Sequence, residues 1–198
     1  MLNEPTLAAR NREQFLDAAT GAFIDQGYRV GVDRIAARAG VVKQTLYNHF
    51  DSKDVLFAEV VARMTAQILV SLDRAAGELR GTLVAFGTSL RRAALGPRGV
   101  AIFRTLVAEA PRFPGVARAA YAEGPARTQA QLAAFLEQAM DEHRLRREDP
   151  RFAAAMLIGM LLGQDRTRQL FTLEKPSLRK EATEHVVDCF LRAFSPDR

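Results

Sequence analysis

The sequence predicts an all-α protein, with an N-terminal three-helix domain followed by a larger C-terminal helical domain. Three observations carry that prediction. Val, Ile and Thr are sparse, and no segment sustains the period-2 alternation of a half-buried strand. Apolar residues recur instead at helical spacing from one end of the chain to the other. Gly and Pro fall singly or in short clusters between those segments, where they punctuate helices.

The elements follow in order. Phe15, Ala18, Ala19, Ala22 and Phe23 keep the i, i+3, i+4, i+7 rule and predict a helix over Ala8–Gln26, stopped by Gly27. A short helix over Asp33–Ala39 ends at Gly40, and another spans Lys43–Phe50. Asp51-Ser52 supplies N-cap chemistry for a long helix over Lys53–Leu79. Helices over Thr82–Ala94, Arg98–Ala110 and Gly115–Leu145 come next, separated by Gly96-Pro97 and by Pro111 to Pro114. Gly124-Pro125 predicts a kink or break inside the last of these. Pro150 opens a helix to Phe171, and Pro176-Ser177 opens the final one, which ends near Phe194. The composition changes near residue 55, which places the domain boundary between 1–55 and 56–198.

At 198 residues and 48% apolar content, the chain buries a real core, and disordered or collagen-like classes are excluded. A single cysteine, Cys189, rules out an intrachain disulfide and suits a reducing compartment. The N-terminal residues have no apolar signal region, and the longest apolar run, Phe152–Gly163, is short of the roughly 20 residues a spanning helix needs. A cytoplasmic protein without membrane contact is expected. Net charge is +5, yet residues 1–55 hold seven basic and seven acidic side chains, so bulk charge does not locate a nucleic-acid surface.

The informative stretch is residues 33–50, DRIAARAGVVKQTLYNHF. Two short helices joined by a Gly-containing turn form a helix-turn-helix. Ala36, Ala37 and Ala39 keep the first helix thin, and Gly40 permits the reversal. At about 100° per residue, Val42, Leu46 and Phe50 share one face of the second helix. Gln44 and Asn48 point away from it, flanked by Thr45 and Tyr47, with Lys43 near the start. Amides, hydroxyls and a cation without an acid are the groups that read base edges and phosphates in a major groove. On pattern alone, a short connecting helix pair within an all-α core is the competing reading.

From Phe15 to Phe57 the sequence resembles the DNA-binding domain of the tetracycline-repressor (TetR) family of transcriptional regulators. The segments that carry the likeness are FLDAATGAFIDQGY, DRIAARAGV and TLYNHFDSKDVLF, including Gly27-Tyr28, Ala39-Gly40-Val41, His49-Phe50 and Ser52-Lys53. The resemblance implies a homodimeric, ligand-responsive repressor of all-helical fold. It also implies that Lys43, Gln44, Thr45 and Tyr47 contact bases and that Tyr47, His49 and Lys53 grip the DNA backbone, with Asn48 on the same outer face. This chain has Gly31-Val32 and Val42 where the family usually carries hydroxyl residues, so backbone N–H groups take more of the capping role there. The stretch from Phe103 to Leu170 is similar to the ligand-binding half of regulators described as AefR-like.

In that half, Phe86, Leu90, Phe103, Leu106, Val107, Phe113, Tyr121, Phe135, Met156 and Met160 are large apolar residues on successive predicted helices. Individually they read as core; together they are candidates to line a cavity between helices, with Tyr121 as its polar handle. Arg104, Glu109 and Arg112 are candidates for an inducer's polar end, against ordinary solvated charge. Val186, Val187, Phe190, Leu191 and Phe194, with Phe152–Gly163, present more apolar surface than one core requires, and a two-fold helix-pair interface would bury it. Cys189 beside that stripe reads as a packing residue.

Enzymatic readings find little support. His49, His143 and His185 have no metal-ligand spacing, and neither a GxSxG nor a phosphate loop occurs, so no metal or cofactor is expected. The expected partners are an operator in double-stranded DNA, a small-molecule effector and a second copy of the chain. An all-helical small-molecule-binding or enzymatic protein that keeps a vestigial DNA-binding head is the alternative.

Overall fold

A computed structural model describes residues 7–73, 78–173 and 176–196. Among these residues there is helix and turn but no strand. The helices are α1 (Leu7–Gln26), α2 (Val32–Arg38), α3 (Lys43–Tyr47), α4 (Lys53–Asp73), α5 (Leu79–Leu95), α6 (Pro97–Glu109), α7 (Pro114–Tyr121), α8 (Arg127–Asp141), α9 (Pro150–Leu170) and α10 (Lys180–Ala193). A single π turn, Ala122–Ala126, joins α7 to α8 at the expected Gly124-Pro125 break. Proline has no N–H to donate, and widening the turn there keeps the chain helical across it. Three sequence expectations shift: α5 begins at Leu79 rather than Thr82, α10 begins at Lys180 rather than at Pro176-Ser177, and the 74–77 part of the long predicted helix lies outside the described residues.

The chain divides into two compact units, Met1–Arg63 with Ala101–Glu123, and Met64–Val100 with Gly124–Arg198. The unit that carries the helix-turn-helix thus runs on past residue 55 and takes in the end of α6 and α7. Its core is aromatic: Phe57 meets Phe23 and Tyr28 edge-on at 4.9 and 5.4 Å, and Phe15, Ile35, Leu46 and Phe50 fill the space below. Gly27 and Gly40 hold φ of +71° and +72°, a region costly to a residue with a Cβ, and these are the two reversals that fold α1, α2 and α3 together.

In the second unit α5, α9 and α10 pack on one another and α8 packs on α9. At Gly87 a Cβ would stand 2.7 Å from Thr183 and 2.9 Å from Leu161, so the missing side chain is what lets α5 approach both helices. Gly163 breaks α9 with φ +23° and ψ −127°, a bend that the apolar run did not predict. The fully buried Arg91 spans the break. It donates to the carbonyl of Leu161, to Asp165 at 2.7 Å and to the carbonyl of Ser177 at 2.8 Å, supplying donors where the helical ladder is interrupted.

Two expectations from apolar content are corrected here. Val187, Phe190 and Phe194 are 0, 0 and 1% exposed, and the two phenyl rings stack at 4.5 Å, so the α10 stripe belongs to the protomer's own core. On α9 the surplus is real but one-sided. Ala153, Ala154, Leu157 and Leu161 point inward, while Phe152, Met156 and Met160 remain exposed. Lys53–Leu72, broken by charged residues in sequence, is also long and apolar enough by length and composition to cross a membrane, with mean hydropathy 1.7. Its side chains Leu56, Phe57 and Val60 are buried within the first unit, and Ile68 and Leu72 within the second.

Candidate nucleic-acid interface

The second helix of the motif is shorter than its sequence suggests. It ends at Tyr47, and a turn carries Asn48 to Phe50. Val42, expected on the anchoring face, is 69% exposed. It is the extended N-cap residue (ψ 154°), so helical phase does not apply to it. Leu46 and Phe50, each 2% exposed, hold the helix on its support. Neither Gly31 nor Val42 gives its helix a side-chain cap, as their residue types require.

The outer face of the helix is polar. Lys43, Gln44, Tyr47 and Asn48 are exposed, and Thr45 is half-buried beside them. Lys43 Nζ lies 3.4 Å from Asp33, and Gln44 Nε2 donates to Asn48 Oδ1 at 3.2 Å. Both links join exposed groups and are worth little against a polar partner of better geometry. His49 is half-buried, with its ring 4.9 Å from Phe15. Lys53 points across the head: its ammonium lies 4.4 Å from the Tyr28 ring centre and 3.4 Å from the Val30 carbonyl oxygen. Burial pushes the Lys53 pKa below the ordinary lysine value, against the opposing pull of Asp54 and Glu109.

Sequence reasoning missed the side chains that fix this face. Arg12 of α1 donates to the His49 carbonyl at 3.4 Å, stands 4.7 Å over the Phe50 ring and pairs with Glu59 of α4. The signal for it was present. Arg12 precedes Phe15 and Ala19 at i, i+3, i+7, so this cation lies in line with the buried stripe of α1, with its side chain 40% exposed. Gln14 Nε2 likewise donates to the Ala39 carbonyl at 3.1 Å, tying α1 to the turn of the motif. The phenol of Tyr28 donates to Asp54, and burial together with that carboxylate raises its pKa. The Tyr28 ring also lies 5.1 Å from Phe113, and Arg29 Nε is 3.0 Å from Glu109, so Glu109 is an ion-pair partner within this unit.

The apolar candidates for the ligand half divide between the two units. Phe103, Val107, Phe113 and Tyr121 lie in the unit of the helix-turn-helix, and Phe86, Leu90, Phe135, Met156 and Met160 in the other. Phe86 and Leu90 are core residues, with Phe135 half-buried against them. Phe103 is half-buried, whereas Val107, Phe113 and Tyr121 are 54, 40 and 56% exposed. Tyr121 therefore meets solvent with its ring. Phe113 lines a cleft of about 10 Å³ with Tyr28, Phe57 and Glu109.

These features define the class of the protein: an all-helical chain whose N-terminal helix-turn-helix presents polar groups on a firmly seated second helix. The chain belongs to the TetR family of bacterial transcriptional regulators. Residues 15–60 match the family model described as bacterial regulatory proteins, tetR family, and residues 81–196 match the AefR-like transcriptional repressor, C-terminal domain. A solved structure from Mesorhizobium loti MAFF303099, assigned to TetR-family transcriptional regulators, is 29% identical with a TM-score of 0.81, over 96% of this chain and 100% of that one. The flavonoid-responsive regulator FrrA is 30% identical with a TM-score of 0.70, over 96% and 99%. The HTH-type transcriptional activator FasR of Mycolicibacterium smegmatis is 43% identical over 65 residues, which span 32% of this chain and 30% of that relative's length.

Proposed function

We propose that the protein is a cytoplasmic, homodimeric transcriptional repressor that leaves a pseudo-palindromic operator when a small molecule binds. In this reading residues 1–55 bind DNA, and residues 56–198 bind the effector and dimerise. The observation that carries it is the outer face of the motif: Lys43, Gln44, Tyr47 and Asn48 are exposed on a helix that Leu46 and Phe50 anchor. Gln44 suits an adenine edge and Lys43 a guanine edge, while Thr45 and Tyr47 supply hydroxyls to bases or phosphates. His49 and Lys53 add backbone contacts, for which Lys53 must turn from the Tyr28 ring toward phosphate.

The exposed stripe of Phe152, Met156 and Met160 supports pairing of α9 with its copy across a two-fold axis. Two heads so joined require half-sites about one helical turn (~34–36 Å), or a multiple of that, apart. The effector acts by preferring a dimer whose heads are wrongly spaced, and a reversal from 1:99 to 99:1 requires about 5.5 kcal/mol of preference. FasR, similar over 65 residues, is an activator, so the sign of regulation depends on where the operator lies, and a promoter–reporter fusion reads it. The direct test is selection of bound sequences from a random DNA pool, repeated with a metabolite library present. Enrichment of an inverted repeat that a metabolite abolishes is the expected result; a pool that stays random refutes operator recognition.

A further inference from the structure

Glu109, the last residue of α6, is an acid within the compact unit that has to approach DNA. Its Oε1 accepts from Arg29 Nε at 3.0 Å, and its side chain is only 19% exposed. Its Oε2 is buried and takes no hydrogen bond among the described residues. The cleft beside it, walled by Tyr28, Phe57, Leu106, Phe113 and Val116, holds about 10 Å³, roughly one water. A carboxylate oxygen withdrawn from water without a donor is costly. What offsets that cost is nearby positive charge: Arg29 in contact, and Lys53, which Asp54 also attracts and whose ammonium stands 4.4 Å from the centre of the Tyr28 ring that walls the same cleft. In a partly buried cleft such charges attract several-fold more strongly than in bulk water.

Phosphate makes the same demand on these cations that Glu109 makes. We propose that Glu109 is a built-in counter-ion that competes with DNA phosphate for Lys53 and Arg29, so that a carboxylate on α6 restrains the head's grip on DNA. This rests on the reading of Lys53 as a phosphate-facing cation. It gives the end of α6 an electrostatic means of setting DNA affinity that acts within one head, apart from the spacing of two. Moving the carboxylate away frees the cations; pressing it closer holds them.

The sign of two substitutions separates this from a merely structural contact. Binding of the full chain to a fluorescent mixed-sequence duplex is measured over a range of salt concentrations. Glu109→Gln is expected to raise affinity about two- to fivefold at low salt and to steepen the salt dependence by roughly one counterion per protomer. Arg29→Gln breaks the same ion pair from its other side but leaves the carboxylate to Lys53 alone, so it lowers affinity. If the pair only braces α6, both variants shift affinity in the same direction, and the proposal is overturned. Glu137→Gln, which removes one negative charge from an exposed site on α8, controls for net charge; an equal gain there also overturns it. Lys53→Ala tests the underlying reading separately. An unchanged salt slope in that variant defeats the phosphate role, whereas a reduced slope there with no gain from Glu109→Gln defeats the counter-ion alone. Should Glu109→Gln not fold, Glu109→Asp, which draws the charge back by one methylene, is expected to give a smaller gain of the same sign.

Discussion

Replacing Phe152 with alanine should dissociate the proposed dimer without disturbing the protomer. The ring is 55% exposed near the start of α9, in line with Met156 and Met160 one and two turns on, each 36% exposed. A phenyl side chain has about 200 Å² to bury, so roughly 110 Å² of Phe152 remains available to a partner. At about 25 cal/mol per Å² that area is worth about 3 kcal/mol, and a two-fold contact contains it twice. Side-chain ordering and imperfect coverage reduce the sum, so a loss of about 3–6 kcal/mol brackets the effect. The dimer dissociation constant should then rise between about a hundredfold and ten-thousandfold. Sedimentation velocity over a dilution series measures it, with far-ultraviolet circular dichroism to check that helix content is kept. A dimer as tight as the parent's would show that α9 pairs through some other face, and the reasoning from its exposed stripe would fail.

Phe190→Ala should behave differently, because that ring is inside the core: a loss of about 3–5 kcal/mol of protomer stability, seen as a melting temperature lower by about 10 °C. Gln44→Ala should cost about 1–3 kcal/mol on the selected operator and relax preference at one position of each half-site; equal weakening on every sequence would remove its base-reading role. Tyr28→Phe should change the alkaline limb of stability. The phenol's pKa is raised in the folded state, so the unfolded chain ionises first and stability falls as pH rises beyond about 10. Without the phenol that decline should flatten in pH-dependent urea denaturation, and an unaltered decline would assign it to other groups.

What the sequence made legible is what depends on local chemistry. The helical period, the reversals at Gly27 and Gly40, the break at Gly124-Pro125 and the polar outer face of the recognition helix all follow from residue types at short spacing. What stayed hidden depends on which neighbour each side chain meets across the fold. The broad stripe of α10 and the outer stripe of α9 look alike in sequence, yet one is core and the other surface, because burial depends on which helices pack on each face. The bend at Gly163 is held by Arg91, 72 positions earlier, and no local rule links them. The partners of Arg12 and Glu109 were hidden for the same reason: Glu109, read from sequence as a candidate for an inducer's polar end, pairs with Arg29, and Arg12 meets His49 and Glu59, which only the tertiary structure brings near.

A head whose residues 1–55 carry no net charge can still bind a polyanion, because of how its charges and those packed on it are spent. Arg12, Arg29, Arg38, Lys43 and Arg63 each have a carboxylate partner in the DNA-free protein: Glu59, Glu109, Asp25, Asp33, and Glu13 with Asp17. The pairs exposed on both sides, Arg38–Asp25 and Lys43–Asp33, contribute about 0–1 kcal/mol each, so exchanging one for a phosphate costs little. The Lys43–Asp33 pair, 49 and 76% exposed and 3.4 Å long, is cheap to break, and it sits at the start of the recognition helix. The Arg12–Glu59 pair is more enclosed and also holds the His49 carbonyl, so breaking it would loosen the helix that DNA is meant to meet. On the proposed reading, the carboxylates thus sort the cations into those released to DNA and those retained to keep the reading face in place. Affinity in such a head depends less on its sum of charges than on which pairs yield first.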